Sequence, residues 1–501
     1  MSMMQTRKKI IVGACLGLLL IILGVVLIPV VDSVVKSKVT EQVTLEEDGY
    51  LYGIWKDPPM PIYLDIYMFN LTNPLEVKNG AKPAVLEIGP YTYRERRVKF
   101  NITFNDNGTI SYRQKRIFTF QRNMSVGDEL DMFTTVNPPL LTLIEGLSNE
   151  SAEFREILTN IIGLMEGIFI TRSLKDIVWG YVDPALQVAH TLFPKWFYTD
   201  FIGYFMNKNN TDDGVYTIHS GKNDINKLGE IDKYNGTRSL NYWTSPWANQ
   251  INGSDGTINP PFLEDTEILK FFSMDICRSG FGKYTSDVEI KRQLHLHRYT
   301  ATAQELANKT LNPDNAGFCT KRSGCLGSGL LDVSVCTHVD SFPVPSVISF
   351  PHFYLADQKF IDGVIGVKPI PLKHETAIDV EPITGLVLQA AKRLQINMHI
   401  TTVLDVKMTH GIKPTFLPVF WINERTIVDD GNADKLNTML FTPMMVAHTI
   451  EIVLIAIGAF VFLLSLFLGC KLQHSKNFQS HVDEKTPLMN DKPYSEPFEA
   501  D

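Results

Sequence analysis

Several groups of residues carry atoms that chemistry could use, and in each the spacing argues against catalysis. His295-Leu296-His297 places two imidazoles on one face of a predicted strand. Such a pair holds a metal only where a third ligand converges on it, and none is near in sequence. Gly324–Leu330 (GCLGSGL) is glycine-rich but matches neither a nucleophile elbow nor a dinucleotide loop. Flanked by cysteines, it reads as a disulfide-held turn, so Ser328 is given no catalytic role. Cys277, Cys319, Cys325 and Cys336 are spaced 42, 6 and 11 residues apart, without the Cys-x-x-Cys pair of a strong zinc site. The chain is expected to be no enzyme, to hold no metal and to need no cofactor. One pattern remains: Asp483 and Glu484, then three residues, then Leu488-Met489.

What positions these groups is a membrane. Ile10–Val31 is 22 residues without a charge, preceded by Arg7-Lys8-Lys9. At about 1.5 Å per residue it reaches across a hydrocarbon layer. It outruns a signal-peptide core and no small-x-small cleavage site follows, so it is expected to stay as an anchor. Ile452–Gly469 is a second run of 18 residues, extended backwards by Met444–Ile450, with Glu451 the one charge near its outer end. Lys471 and Lys476 flank it as the basic residues flank the first, which places both tails in the cytosol. The expected order is a tail (1–9), a span (10–31), a lumenal or extracellular domain (32–443), a span (444–470) and a C-terminal tail (471–501).

Two further features fit that topology. Asn-x-Ser/Thr acceptors occur at Asn70, Asn101, Asn107, Asn123, Asn149, Asn209, Asn235, Asn252 and Asn308, all in the central domain. The four clustered cysteines lie there too and read as two disulfides, with three pairings open. A net charge of −8 without long runs of one sign gives no reason to expect nucleic acid as a partner.

Within the central domain, β-rich runs recur at Tyr63–Phe69, Ser111–Phe120, Val215–His219, Leu294–Thr300, Leu386–Leu388 and Asn397–Leu404, punctuated by Gly, Pro and Asn. They predict one mainly antiparallel β domain. From 140 to 179 the period changes to that of a helix. Phe154, Ile157, Leu158, Ile161, Met165, Ile168 and Phe169 fall on one arc of a predicted amphipathic helix, with Ser151 as its N-cap. Much of that arc should pack on neighbouring helices at 140–147 and 174–179, leaving part of it as a docking surface. Nine of the twelve histidines lie in the central domain, none of them in this helix, so pH-dependent release there would have to come from a partner or from histidines elsewhere.

Eight stretches complete the reading. EIGPYTYRE (Glu87–Glu95), WGYVDP (Trp179–Pro184), INGSDG (Ile251–Gly256), DICRS (Asp275–Ser279), DNAGFC (Asp314–Cys319), SFPHFY (Ser349–Tyr354), EPITG (Glu381–Gly385) and AKRLQIN (Ala391–Asn397) resemble, in order, the landmarks of class B scavenger receptors. The resemblance covers nearly all of the chain. It implies a mainly β fold with α: an antiparallel β-barrel-like ectodomain with an apical helical cluster at about 138–180, an internal hydrophobic tunnel and two transmembrane helices. It also implies the pairings Cys319–Cys325 and Cys277–Cys336.

Cys319–Cys336 and the tail are most similar to the lysosomal branch of that family. There the helix matched by Glu153–Ile170 binds the hydrolase β-glucocerebrosidase for delivery. The resemblance therefore implies Phe154, Ile157, Leu158, Ile161 and Met165 as partner-binding residues, and sterol or phospholipid as a tunnel ligand. Relatives carry a cysteine where this chain has Ala248. In a cytosolic tail, Asp483, Glu484, Leu488 and Met489 form an acidic dileucine sorting signal, read by clathrin adaptors that bury the two aliphatic side chains. Late-endosomal and lysosomal membranes are the expected location; the alternative is a plasma-membrane receptor for lipoproteins and lipids. The sequence leaves a homo-oligomer open.

Overall fold

A computed structural model describes residues 2–483 except 149, 164–165, 195–198, 266–267, 292–293 and 340–341. The chain divides into two compact units, Met1–Lys38 with Leu436–Asp501, and Val39–Lys435.

The first unit is built on two long helices, Ser2–Val43 and Thr442–Asp483, both long and apolar enough to cross a membrane. They touch through small residues. A Cβ on Gly17 would lie 2.6 Å from the Phe462 amide nitrogen, and one on Gly458 would lie 2.8 Å from the Gly17 carbonyl. Among apolar surfaces such close backbone approach supplies the packing energy that water expulsion cannot. Two such helices are consistent with a two-span membrane topology.

The second unit is a large antiparallel sheet. Its strands follow the order Ile268–Ser273, Arg278–Ile290, Leu294–Thr300, Ala377–Val380, Val387–Ile400, Thr415–Ile427, Ile62–Leu71, Val85–Phe104, Thr109–Phe120, Thr211–His219 and Ile231–Tyr234. The first and last of these are not paired with each other, but the segment at 253–254 lies between them. Ile231 donates to the Gly253 carbonyl at 2.9 Å, Phe272 donates to the Ser254 carbonyl at 2.8 Å, and Ser254 donates to Lys270. The sheet is thereby almost closed into a barrel. Gly253 has φ +82°, and a Cβ there would overlap the Lys270 carbonyl, which is why INGSDG carries glycine at this seam.

Several of the long strands were only partly legible from alternation. Val387–Ile400 is one strand where sequence reading gave two pieces, and Asn397–Leu404 leaves it after Ile400. Val85–Phe104, Arg278–Ile290 and Thr415–Ile427 escaped as strands.

The helical region also departs from expectation. The amphipathic helix runs only over Ala152–Gly163. Phe169–Ser173 is a strand paired with Met132–Val136, so Phe169 is not on the helix, and Ile168 lies in the turn before that strand, buried in the core. The reason is local: the Asn137 side chain bonds the Gly167 carbonyl at 3.0 Å, and Glu166 pairs with Arg172. Those bonds satisfy backbone and charge without helix. Short helices at Pro138–Gly146, Leu174–Trp179 and Pro184–Leu192 surround this strand pair, capped by Asn137, Ser173 and Asp183. Their apolar faces join one core with the barrel, through Leu140, Leu143, Leu174, Ile177 and Leu186.

Two disulfides are present, Cys277–Cys336 and Cys319–Cys325.

Candidate functional site

The Ala152–Gly163 helix packs beside the 401–411 loop, which joins the strand ending at Ile400 to the one beginning at Thr415. Two ion pairs of opposite sense clip them together. Arg155 Nε lies 2.5 Å from Asp405 Oδ2, and Lys407 Nζ lies 2.7 Å from Glu156 Oε1. Lys407 holds the Glu156 carboxyl below its usual range. The predicted partner-binding residues separate on this scaffold. Ile157 is 61% exposed, Leu158 is buried at 2%, and Phe154 is half-buried with its ring edge-on to Phe193 at 5.6 Å. Leu158 therefore belongs to the core and Ile157 to the surface. Ile161 lies in the helix, while Met165 lies outside the described residues. Leu404, 89% exposed beside Asp405, was missed as a surface residue because the sequence reading placed it at the end of the β-rich run Asn397–Leu404.

A cavity of about 460 Å³ lies between the strands and the helical region. Leu64, Phe118, Ile396, Phe420 and Ile422 line it from the strands, and Ile177 and Tyr204 from the helical side. One side of its wall is ionic. Arg97 bridges Glu95 at 2.7 Å and Glu424 at 2.5 Å; Asp275 is held by Arg116 at 2.9 Å and Lys392 at 3.2 Å. Three carboxylates thus meet three cations, and the two triads interact, Arg116 acting on Glu95 and Lys392 on Glu424. Burial pushes the Glu95 carboxyl up, and Arg97 only partly offsets it. At Glu424 and Asp275 the cations win over burial and hold both carboxyls low.

A third cluster, Glu87, His352 and His374, brings three potential metal ligands together. The hydrogen bonding assigns them otherwise. His352 Nδ1 accepts from the Lys368 amide and His374 Nδ1 from the Ile370 amide, each at 2.9 Å. Each neutral ring then carries its proton on Nε2, the nitrogen a metal would need. His352 Nε2 meets Glu87, which also accepts from Trp421 Nε1 at 2.8 Å. The two imidazoles stack at 4.3 Å. Burial, and then the neighbouring His352, lower the His374 pKa to about 4.

His295 and His297 face Glu289 and Asp287 across a hairpin, with His297 Nε2 3.6 Å from Asp287. Ser328 is buried and accepts from the Asn308 amide, a turn-stabilising contact. Of the sequons, Asn101, Asn107, Asn123, Asn209 and Asn235 are exposed, while Asn70, Asn252 and Asn308 are half-buried. Asn70 is further engaged, accepting from the Thr134 amide at 2.8 Å. Asn149 lies outside the described residues, as do Glu484, Leu488 and Met489; Asp483 is the last residue of its helix.

The architecture is that of a membrane-anchored receptor: a near-closed barrel-like domain, with a separate helical surface and two apolar anchors. Residues 15–469 match the CD36 family, and the chain belongs to it. It is 37% identical to human lysosome membrane protein 2 over 479 residues, covering 95% of this chain and 97% of that protein. Similarity to the mouse lysosome membrane protein 2 is 34% over 479 residues, covering 95% and 97%. Rat scavenger receptor class B member 1 is 34% identical over 460 residues, 91% of this chain and 89% of that one. Membership makes this chain a non-catalytic receptor, related to both groups.

Proposed function

We propose that this chain is a late-endosomal and lysosomal membrane receptor that carries a lumenal acid hydrolase of the β-glucocerebrosidase kind and passes sterol or other lipid through its ectodomain. The observation that carries the hydrolase part is the surface of the Ala152–Gly163 helix and the 401–411 loop, where Ile157 and Leu404 stand in water beside two ion pairs. Exposed apolar side chains ringed by charge are what a docked protein would cover. Ile161 and Met165 belong to the same proposed surface. Similarity to lysosome membrane protein 2 supports the location, and the cavity supports the lipid part.

Glu484, Leu488 and Met489 act as the sorting signal for clathrin adaptors. Replacing Leu488 and Met489 with Ala should move the protein to the cell surface, measured by surface biotinylation; unchanged lysosomal residence rejects the sorting role. Ile157→Asp should abolish capture of the hydrolase by the full-length protein while its thermal unfolding stays unchanged. The similarity to scavenger receptor class B member 1 supports a second reading, lipid exchange at the plasma membrane. A mostly surface-exposed native protein with lipoprotein uptake would favour it.

A further inference from the structure

The stacked imidazoles of His352 and His374 are tied to one short piece of backbone. Ile365 lies against the segment 83–85, its amide donating to the Pro83 carbonyl at 2.8 Å and its carbonyl accepting from Val85 at 2.9 Å. Beyond it the chain runs Gly-Val-Lys-Pro-Ile-Pro (366–371), where Pro369 and Pro371 have no N–H to give. The amides of Lys368 and Ile370 donate to the two imidazoles, and the outer side of this strap faces water at Gly366, Lys368, Leu372 and Lys373. His352 itself sits in a left-handed conformation, φ +53°, followed by Phe353 at φ +58°. Non-glycine residues keep that conformation where surrounding bonds over-determine it. Here the His352 amide donates to Gln395 Oε1 at 2.6 Å, Nδ1 accepts from the strap and Nε2 meets Glu87.

An imidazole nitrogen that accepts from an amide stops accepting once it takes a proton, because two N–H groups then point at each other. A charged ring and a closed strap therefore exclude one another. The surroundings set how readily the charge forms. Glu87 favours it on His374, while burial, His352, Arg393 and Lys373 oppose it. Lys368 lies on the strap, and Arg393 in turn faces Tyr67 and Glu375, with Asp65 and Arg425 beyond Tyr67.

We propose that residues 366–374 form an acid-released strap, pinned by the neutral rings of His352 and His374 and freed when those rings take protons. Release uncovers an aromatic face, since the His374 ring lies edge-on to Trp421 at 5.6 Å and Trp421 stacks on Tyr67 at 4.0 Å. The device stands apart from the hydrolase and lipid readings; its use in the cell depends on the acidic location proposed above.

Hydrogen–deuterium exchange of the full-length protein in detergent micelles, at pH 7.4 and pH 4.5, reads the strap once each rate is divided by its intrinsic value. Fragmentation by electron transfer separates the Lys368 and Ile370 amides. The neutral ring favours closure, so closure is complete above pH 6.5 and weakens as pH falls towards 4. For His374, a folded pKa of about 4 against an ordinary 6.5 shifts the closed-to-open ratio by about 70-fold between the two conditions. Both amides should lose at least about 10-fold in protection at pH 4.5, while the strand Thr109–Phe120 keeps its own. His374→Gln and His352→Gln each retain an acceptor that does not titrate, and should remove most of the loss at Ile370 and Lys368 respectively. Should either variant fail to fold, the parent chain decides, with a strap midpoint expected between pH 4 and 6.5. Equal protection of the strap at both pH values overturns the proposal. So does a loss shared equally by the control strand, which is general acid unfolding, or one that both Gln variants retain in full. The location has its own readout in surface biotinylation, so the two can fail separately.

Discussion

The barrel interior and the helical surface at 152–163 are both organised by ion pairs, yet the pairs do different work. Inside, Glu95, Arg97 and Glu424 are enclosed by strands that fix their positions, so each charge depends on the next. At the surface, Arg155–Asp405 and Glu156–Lys407 join a short helix to a loop, and water competes for the Glu156–Lys407 pair, while Arg155–Asp405 is partly covered. Enclosure therefore turns the same chemistry from an adjustable fastening into an obligatory one.

Removing a partner from the enclosed set should have the largest effect. Arg97→Met leaves Glu95 and Glu424 facing each other, and should cost about 3–5 kcal/mol of stability in denaturant unfolding. A loss of under 1 kcal/mol would mean that water reaches this wall freely. Leu158→Ala follows, at about 2–3 kcal/mol, because the side chain is buried at the edge of the core. If Leu158→Ala is silent in unfolding but abolishes hydrolase capture, that residue belongs to the surface after all.

His374 tests an intermediate case, a titrating group held inside. Its folded pKa of about 4 lies below the ordinary 6.5, so the unfolded chain binds the proton more readily. The stability it contributes is complete above pH 6.5 and is lost as pH falls towards 4, about 2 kcal/mol by pH 5. His374→Gln, which retains an acceptor for the Ile370 amide, should flatten the stability profile between pH 6.5 and 4 relative to the parent chain. Matching slopes would show that His374 is free to protonate. Smallest is Lys407→Ala, whose pair with Glu156 stands mostly in water, with an effect on denaturant unfolding that shrinks further in high salt.

The same contrast explains what could be read from the sequence. Turn and seam motifs were legible because each serves a fixed backbone need. Gly253 closes the barrel seam, Glu381 accepts from the Ile383 and Thr384 amides to cap its turn, and Asp183 caps the following helix. The two apolar helices were legible from length alone. The long strand Val85–Phe104 was not, because inward positions along it are charged. Glu95, Arg97 and Lys99 alternate along one strand, Glu95 and Lys99 buried and Arg97 mostly so, and a polar-looking face is in fact the inside. Periodicity that assumes apolar-in cannot find such a strand. The helix was overextended for a related reason, since the apolar residues at 168–169 belong to the same core but reach it from a turn and a strand. Leu404 and the unpaired hydroxyl of Tyr204 are properties of neighbourhood, visible only after folding.

The pairing of Ile62–Leu71 with Thr415–Ile427 has a consequence for biosynthesis. One of the first strands to emerge from the ribosome must wait for one of the last before both of its edges are covered. Until then, a strand edge stands open for almost the whole duration of synthesis, inviting mispairing with other nascent chains. The Asn-x-Ser/Thr sequons all fall on the part of the chain that waits, between Asn70 and Asn308. Glycans attached there during translation would keep the unfinished sheet soluble until its late-made partner arrives.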